Sequence, residues 1–526
     1  MKGGGKAVLA VVCMVSLLVC CSIMAGATTK ANEFVQQVAN YLQVPDAQDN
    51  MQSAGFMLRG TYEGLVTYKT QGTVELEPCL ATSWEVSPDG LIYTFYLRQN
   101  VLFHDGTPFT ALAVKLSFDR IMTLKLGKLG YIEGIVSSVE VVDDYTVRIL
   151  LTSPVASILS RLANIPIVSP TPILQHPEDM AKEWYANNMA GTGPYMLDYF
   201  DPPAETALKR FDAYWGGWEG KHFDRISFVT VQDQLTARQM LLAGDIDAVW
   251  SVLVEDFAGL GENPDVQLVA GSPPTYYTIA FNCLKFPTNN RRVREAIGLA
   301  LDYETVIALI GGRPLNDTIA GPVAETNGYY DGTLLTPQYD LERAKTLLAE
   351  AGFPGGAGLP PIELVWSRMW DVEAKTVQVL QEGLKAIGIN AVSIPMNFAP
   401  ILSKESTPET AGQLCFIVSD PSIDAVPDQL MQNMYHTGGI YDFSFFSRTP
   451  DGLGLDALIE QAVFKTDDAV RLELYKELQQ LLVSNYVAMW CFKTVDFTAI
   501  RSDVRGYVLV PAYEKYVPFY HMWKDR

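Results

Sequence analysis

Residues 91–121 read LIYTFYLRQNVLFHDGTPFTALAVKLSFDRI, and this stretch decides the architecture. Within 91–97, Tyr93, Phe95 and Leu97 fall on one face, the period of a half-buried strand. Val101 and Phe103 continue the pattern, and Asp105-Gly106 predicts a turn. Thr110 then stands at the N-cap of a helix whose inner face is Val114, Phe118 and Ile121. Further on, 139–142 and 145–151 flank Asp143-Asp144 and predict a hairpin. The segment 74–152 is therefore mixed α and β.

Working outward, the later chain alternates helices with short strands. Asp340 is placed to cap a helix over 341–351 with Ala344, Leu347, Leu348 and Ala351 inward, and Gly352 to end it. Residues 372–387 carry Val372, Val379, Leu380, Leu384 and Ile387 at helical spacing before Gly388. Residues 468–484 put Leu474, Leu478, Leu481 and Leu482 on one face. Strands are expected at 362–366, 389–394 and 414–418, so the pattern implies α/β layers.

The chain has 526 residues, enough for about three domains. With 48% hydrophobic and 19% charged residues, it can bury large cores and is not a disordered chain. Residues 1–27 read as an export signal: Lys2 and Lys6, an apolar run from Ala7 to Val19, then Ala25-Gly26-Ala27 at a cleavage position. The run is too short to span about 30 Å of hydrocarbon as a helix. Lipid attachment at Cys20 or Cys21 is the weaker reading, because no small residue precedes either one. Removing 1–27 leaves 37 basic against 60 acidic residues, a net charge of −23, which disfavours nucleic acid and anionic lipid. Four cysteines then remain (Cys79, Cys283, Cys415 and Cys491), far apart and read as buried free thiols, although an oxidising compartment permits disulfides.

The usual catalytic and nucleotide signatures are missing: no G-x-S-x-G, H-E-x-x-H, G-x-x-x-x-G-K-[ST] or G-x-G-x-x-G. Gly191-Thr192-Gly193-Pro194-Tyr195 reads as a tight structural turn, since Pro194 lacks an N–H and no lysine follows at the offset a phosphate loop needs. Asp143-Asp144 and Asp467-Asp468 read as turn and helix-start acids. No cofactor or metal is expected, because the five histidines are dispersed.

The sequence resembles the extracellular solute-binding proteins of family 5, the dipeptide, oligopeptide and nickel binders of ABC importers. The resemblance runs from about Tyr62 to Val487. It rests on Tyr62-Glu63-Gly64-Leu65-Val66, on Leu80-Ala81 with Ser83-Trp84, and above all on Phe103-His104-Asp105-Gly106-Thr107-Pro108-Phe109. Then follow Gly191 to Tyr195, Tyr214-Trp215-Gly216-Gly217, Gly244-Asp245-Ile246-Asp247, Phe281-Asn282 and Arg292-Val293-Arg294, in order and at matching spacing. Phe211 departs from a common asparagine, and the family's Trp-x-x-Asp stands here as Ile417-Val418-Ser419-Asp420.

The resemblance implies an α/β, two-lobed, periplasmic-binding-protein-like fold of class II type with an extra inserted α+β domain. Residues 28–70, 193–279 and 491–526 would form domain I, 71–192 the inserted domain II, and 280–490 domain III, with two crossings as hinge. His104 alone invites a metal or acid–base role, but in its motif it resembles a packing and turn residue. A peptide zwitterion needs an acid for its ammonium and a cation fork for its carboxylate. By resemblance Asp420 takes the amine, with Asp424 as fallback, and Arg368 the carboxylate. Ser419, Trp366, Trp370, Tyr276, Tyr277, Tyr435, His436 and Tyr441 are candidate walls. The implied partners are a short peptide or other small solute and the permease subunits of an importer, for a monomer at the periplasmic or outer face of the cytoplasmic membrane. An oligosaccharide, opine or nickel chelate on the same fold is the alternative ligand. A hydrolase would need a nucleophile with a base or a metal, which the sequence does not mark.

Overall fold

The computed structural model describes residues 32–38, 46–49, 55–69, 75–201, 203–250, 252–270, 275–313, 315–419, 427–495, 497–510 and 517–525; the export segment at 1–27 lies outside them. Strands are numbered in chain order. β1 (Glu33–Val38) comes first, and β2 (Val66–Tyr68) and β3 (Leu76–Pro78) form a short pair. β4 (Ala81–Val86), β5 (Ile92–Leu97), β6 (Val136–Asp143) and β7 (Thr146–Leu151) make an antiparallel sheet in the order β4-β5-β7-β6. β8 (Tyr195–Asp201), β9 (Glu205–Arg210), β10 (Arg225–Thr230), β11 (Ala248–Val249) and β12 (Val266–Ala270) follow. β13 (Thr275–Phe281), β14 (Asn316–Asp317), β15 (Ile362–Ser367), β16 (Ala391–Met396), β17 (Leu414–Ser419) and β18 (Ala488–Thr494) build a six-stranded sheet, β14-β18-β13-β17-β15-β16. β19 (Phe497–Arg501) returns to complete a seven-stranded sheet, β12-β19-β11-β1-β10-β9-β8.

The local reasons are those the sequence offers. Tyr93, Phe95 and Leu97 of β5 are buried opposite Val147, Ile149 and Leu151 of β7, so period two closes one core. The helix Ala111–Leu124 buries Val114, Phe118 and Ile121 on the same core. Thr110 occupies its N-cap with extended backbone, but its side chain makes no capping bond, which corrects the expectation of a hydroxyl cap. Asp340 does cap its helix, accepting from the N–H of Arg343, and Gly352 takes φ 92° just beyond. Asp467 likewise caps Asp468–Ser484 through the N–H of Val470. The central strands β13 and β18 are almost wholly buried and read as near-continuous apolar runs, as strands covered on both faces must.

Glycine at 191 and 193 answers to close backbone approach. A Cβ at Gly191 would sit 2.1 Å from the carbonyl oxygen of Thr61, and one at Gly193 would sit 2.7 Å from that of Gly60. His104 joins this knot: its N–H donates to Gly191 O at 2.9 Å, its Nε2 lies 2.9 Å from Gly193 O, and its ring packs edge-on against Phe211. Asp105 accepts from Thr107 N and Ser169 Oγ. These contacts serve packing and turning, while His104 Nδ1 is buried without a hydrogen-bond partner among the described residues. Cys79, Cys283, Cys415 and Cys491 are buried free thiols.

The two ends of the described chain meet in the seven-stranded sheet. Lys524 Nζ donates to Asp247 Oδ2 at 2.7 Å and to the carbonyl of Glu33 at 2.8 Å, and both charged groups are buried. The acid follows Gly244-Asp245-Ile246, so that motif ties the segment around Lys524 to the first strand.

Candidate functional site

Register places the site. In the seven-stranded sheet β1, β10 and β11 run parallel, ending at Val38, Thr230 and Val249. In the six-stranded sheet β15, β16 and β17 run parallel, ending at Ser367, Met396 and Ser419. The chain leaves the first sheet at Ala270, which pairs with Phe497, and enters the second at Thr275, which pairs with Thr494. It returns from Thr494 to Phe497. Both crossings thus begin and end at the carboxyl edge of the parallel strands in both sheets. Open α/β sheets bind ligands at that edge, and here the crossings join two such edges.

Several candidate residues gather on the second edge. Ser419 pairs directly with Tyr276, and Tyr277 with Val418. Trp366 pairs with Pro395, and its Nε1 donates to Ser393 Oγ at 2.8 Å. Arg368 is exposed, with Nη2 donating to the carbonyl of Pro395 at 2.7 Å. Trp370 is half-buried and meets Phe398 edge-on, at 6.3 Å between ring centres. Tyr277 is buried, stacked on Phe492 at 4.9 Å, and Tyr276 is buried beside it. Tyr435 is buried in the same core just after the helix Asp428–Met434. His436 is half-buried; its Nε2 lies 3.3 Å from Glu460 and its Nδ1 2.9 Å from the carbonyl of Thr437. Tyr441 packs edge-on against Phe443. Asp420 and Asp424 lie outside the described residues.

Three contributors escape a sequence reading. Glu373, in the first turn of Asp371–Ala386, is 1% exposed and accepts from the N–H of Ser367 at 2.8 Å, so it pins the loop that carries Arg368 and Trp370. Burial pushes its carboxyl up to about 7, against the opposing pull of that hydrogen bond. Trp250 follows β11 on the other edge, its N–H donating to Gln37 Oε1 at 3.1 Å; an aromatic after a buried Ala-Val pair is the signal for it. Arg161, on the helix Ile158–Leu162, reaches Gln432 on the helix Asp428–Met434, Nη2 to Oε1 at 3.2 Å. That hydrogen bond joins the side of the inserted sheet to the six-stranded side.

The helix bearing Gln432 is itself fixed. Asp428 accepts from Arg471 Nη2 at 2.8 Å and from the hydroxyl of Tyr475, all three buried. A cavity of about 240 Å³ lined by Cys283, Asn289, Arg294 and Asp451 lies beyond the opposite end of β13 from Tyr276, away from this edge. Among the described residues no group of three or more His, Cys, Asp or Glu could hold a metal ion, and no helix is long and apolar enough to cross a membrane.

Residues 75–442 match the sequence pattern described as bacterial extracellular solute-binding proteins, family 5 Middle. The chain is 29% identical over 479 residues to heme-binding protein A of Haemophilus influenzae, covering 86% of this chain and 84% of that one. It is 27% identical over 517 residues to the glutathione-binding protein GsiB of Escherichia coli, covering 95% and 96%. Its fold matches the ABC transporter-associated periplasmic binding protein DppA from Helicobacter pylori, solved in complex with peptide STSA, with TM-score 0.77 and 23% identity over 94% of this chain and 98% of that one.

Proposed function

The chain belongs to the bacterial extracellular solute-binding proteins of family 5, and we propose that it captures a peptide-like solute between its two lobes and hands it to the permease of an ABC importer. The observation that carries this reading is the pair of carboxyl edges at which both chain crossings begin and end. A solute lying in that gap touches both lobes only when they approach, so binding free energy favours the closed form. Closure also removes water, which strengthens charge pairing inside.

In this reading Asp420 receives the ammonium of the peptide and Arg368 its carboxylate through a paired N–H fork. Trp366, Trp370 and Tyr277 supply apolar walls, and Ser419, Tyr435 and His436 border the amine end. The likeness to a glutathione-binding relative, over nearly the whole of both chains, supports a peptide-like solute. One lobe carries the seven-stranded sheet, the other the six-stranded sheet, and 71–192 is the inserted domain. The expected bounds at 279/280 and 490/491 would cut β13 and β18, which lie wholly in the six-stranded sheet, so the lobes divide between 270 and 275 and between 494 and 497. The protein works as a monomer on the outer side of the cytoplasmic membrane, without a cofactor, and releases its solute chemically unchanged.

Calorimetry against a pool of short peptides tests the site. Asp420→Ala and Arg368→Ala each weaken binding about tenfold or more, the weight of a hydrogen bond to a charged group. Unchanged affinity in both variants would remove the zwitterion site from this edge.

A further inference from the structure

Four arginines are buried among the described residues, and three of them are accounted for. Arg120 pairs with Asp46 at 2.7 Å, and Arg471 with Asp428 at 2.8 Å. Arg294 spends Nε, Nη1 and Nη2 on the carbonyls of Thr288, Asn485 and Tyr486. Arg161 is different. It is 4% exposed, yet its only hydrogen bonds among the described residues are to two neutral side chains: Nε to Ser157 Oγ at 3.1 Å and Nη2 to Gln432 Oε1 at 3.2 Å. A guanidinium carries five N–H donors and stays charged in proteins. The unspent Nη1 of Arg161 is not shut away from the surface, so an arriving anion can reach the fork and pair with it.

Its location says where the anion comes from. Gln432 sits on the first helix after the end of β17, the strand end that carries Ser419. The helix Ile158–Leu162 belongs to the opposite side of the gap. Arg161 therefore stands at the seam of the lobes, and among the described residues no carboxylate pairs with it.

We propose that Arg161 is a ligand-binding residue that receives an anionic group of the captured solute, a carboxylate, from the inserted-domain side of the cleft. This rests on the peptide-like reading of the site and adds a second cation to it. Arg368 approaches from one lobe and Arg161 from the other, so an anionic solute ties the lobes together. The neutral hydrogen bond to Gln432 holds the fork in place in the meantime, with one N–H of Nη2 and both of Nη1 still unspent.

The test uses the mature protein and a pool of di- to tetrapeptides offered as free acids or as C-terminal amides, with occupancy read by native mass spectrometry. The wild type is expected to favour the acids about tenfold or more. Arg161→Gln reduces that preference severalfold, to the part that Arg368 supplies, while still binding the amides, and Arg161→Lys, which keeps the charge and loses the fork, is reduced less. A role limited to holding Ser157 and Gln432 would lower the melting temperature without moving the acid-to-amide ratio. A preference undiminished in Arg161→Gln overturns the inference and leaves the peptide reading standing. A wild type that binds neither pool overturns both.

Discussion

Glu373 Oε2 accepts a hydrogen bond from the backbone N–H of Ser367 at 2.8 Å, and through that one contact a buried carboxyl sets the loop bearing Arg368 and Trp370. Its protonation is therefore coupled to stability. The carboxyl titrates near 7 in the fold against 4.5 ordinarily. Between those values the folded protein holds a proton that the unfolded chain has released, so stability falls as pH rises from 4.5 to 7 and levels off above. Relative to Glu373→Gln, the wild type loses at most about 3 kcal/mol across that window. Chemical denaturation at pH 5 and pH 8 reads this; an identical difference at both pH values contradicts it.

His104 behaves oppositely. Burial holds its imidazole down to about 4, against a weaker pull from Gly193 O and Asp105. The unfolded chain takes up a proton first as pH falls below 6.5, so this group costs stability between 6.5 and 4 and nothing above. Proton NMR should find the His104 ring neutral at pH 5.5. An imidazolium at that pH would mean the motif is open to solvent.

Gly191→Ala is expected to destabilise by about 1–3 kcal/mol or more, because the added methyl meets the carbonyl of Thr61, which is backbone and cannot swing aside. Thermal unfolding measures the loss.

Lys524→Ala strands the Asp247 carboxylate in the core, where burial already raises its pKa despite the ammonium beside it. The expected cost is about 3–5 kcal/mol. A change near zero in denaturant midpoint would mean that the C-terminal segment does not hold the first lobe together.

Much of the architecture was legible because its signals are local. The helix Leu341–Glu350 lies between Asp340 and Gly352, and β15, β16 and β17 lie where short apolar runs stand between helices. The motif at 103–109 carried both the turn and, by resemblance, the family. Thr110 shows the limit: sequence locates the cap position but not whether the hydroxyl turns toward the helix. The candidate site was legible as residue types and not as an arrangement: strand register brings Ser419 and Tyr276 together and sets Trp366 at the end of β15, which residue types alone do not fix. Glu373 looks like any first-turn acid until Ser367 is seen to bury it. Arg161 and Gln432 are 271 residues apart, and no periodicity announces a contact across that distance.

Capture of an unaltered peptide-like solute is tested most directly by mass spectrometry of whatever leaves with the full chain purified under native conditions. A population of short peptides bearing free termini, identical in mass before and after release, is the predicted result. A single sugar or metal chelate, or fragments generated during incubation, would contradict it.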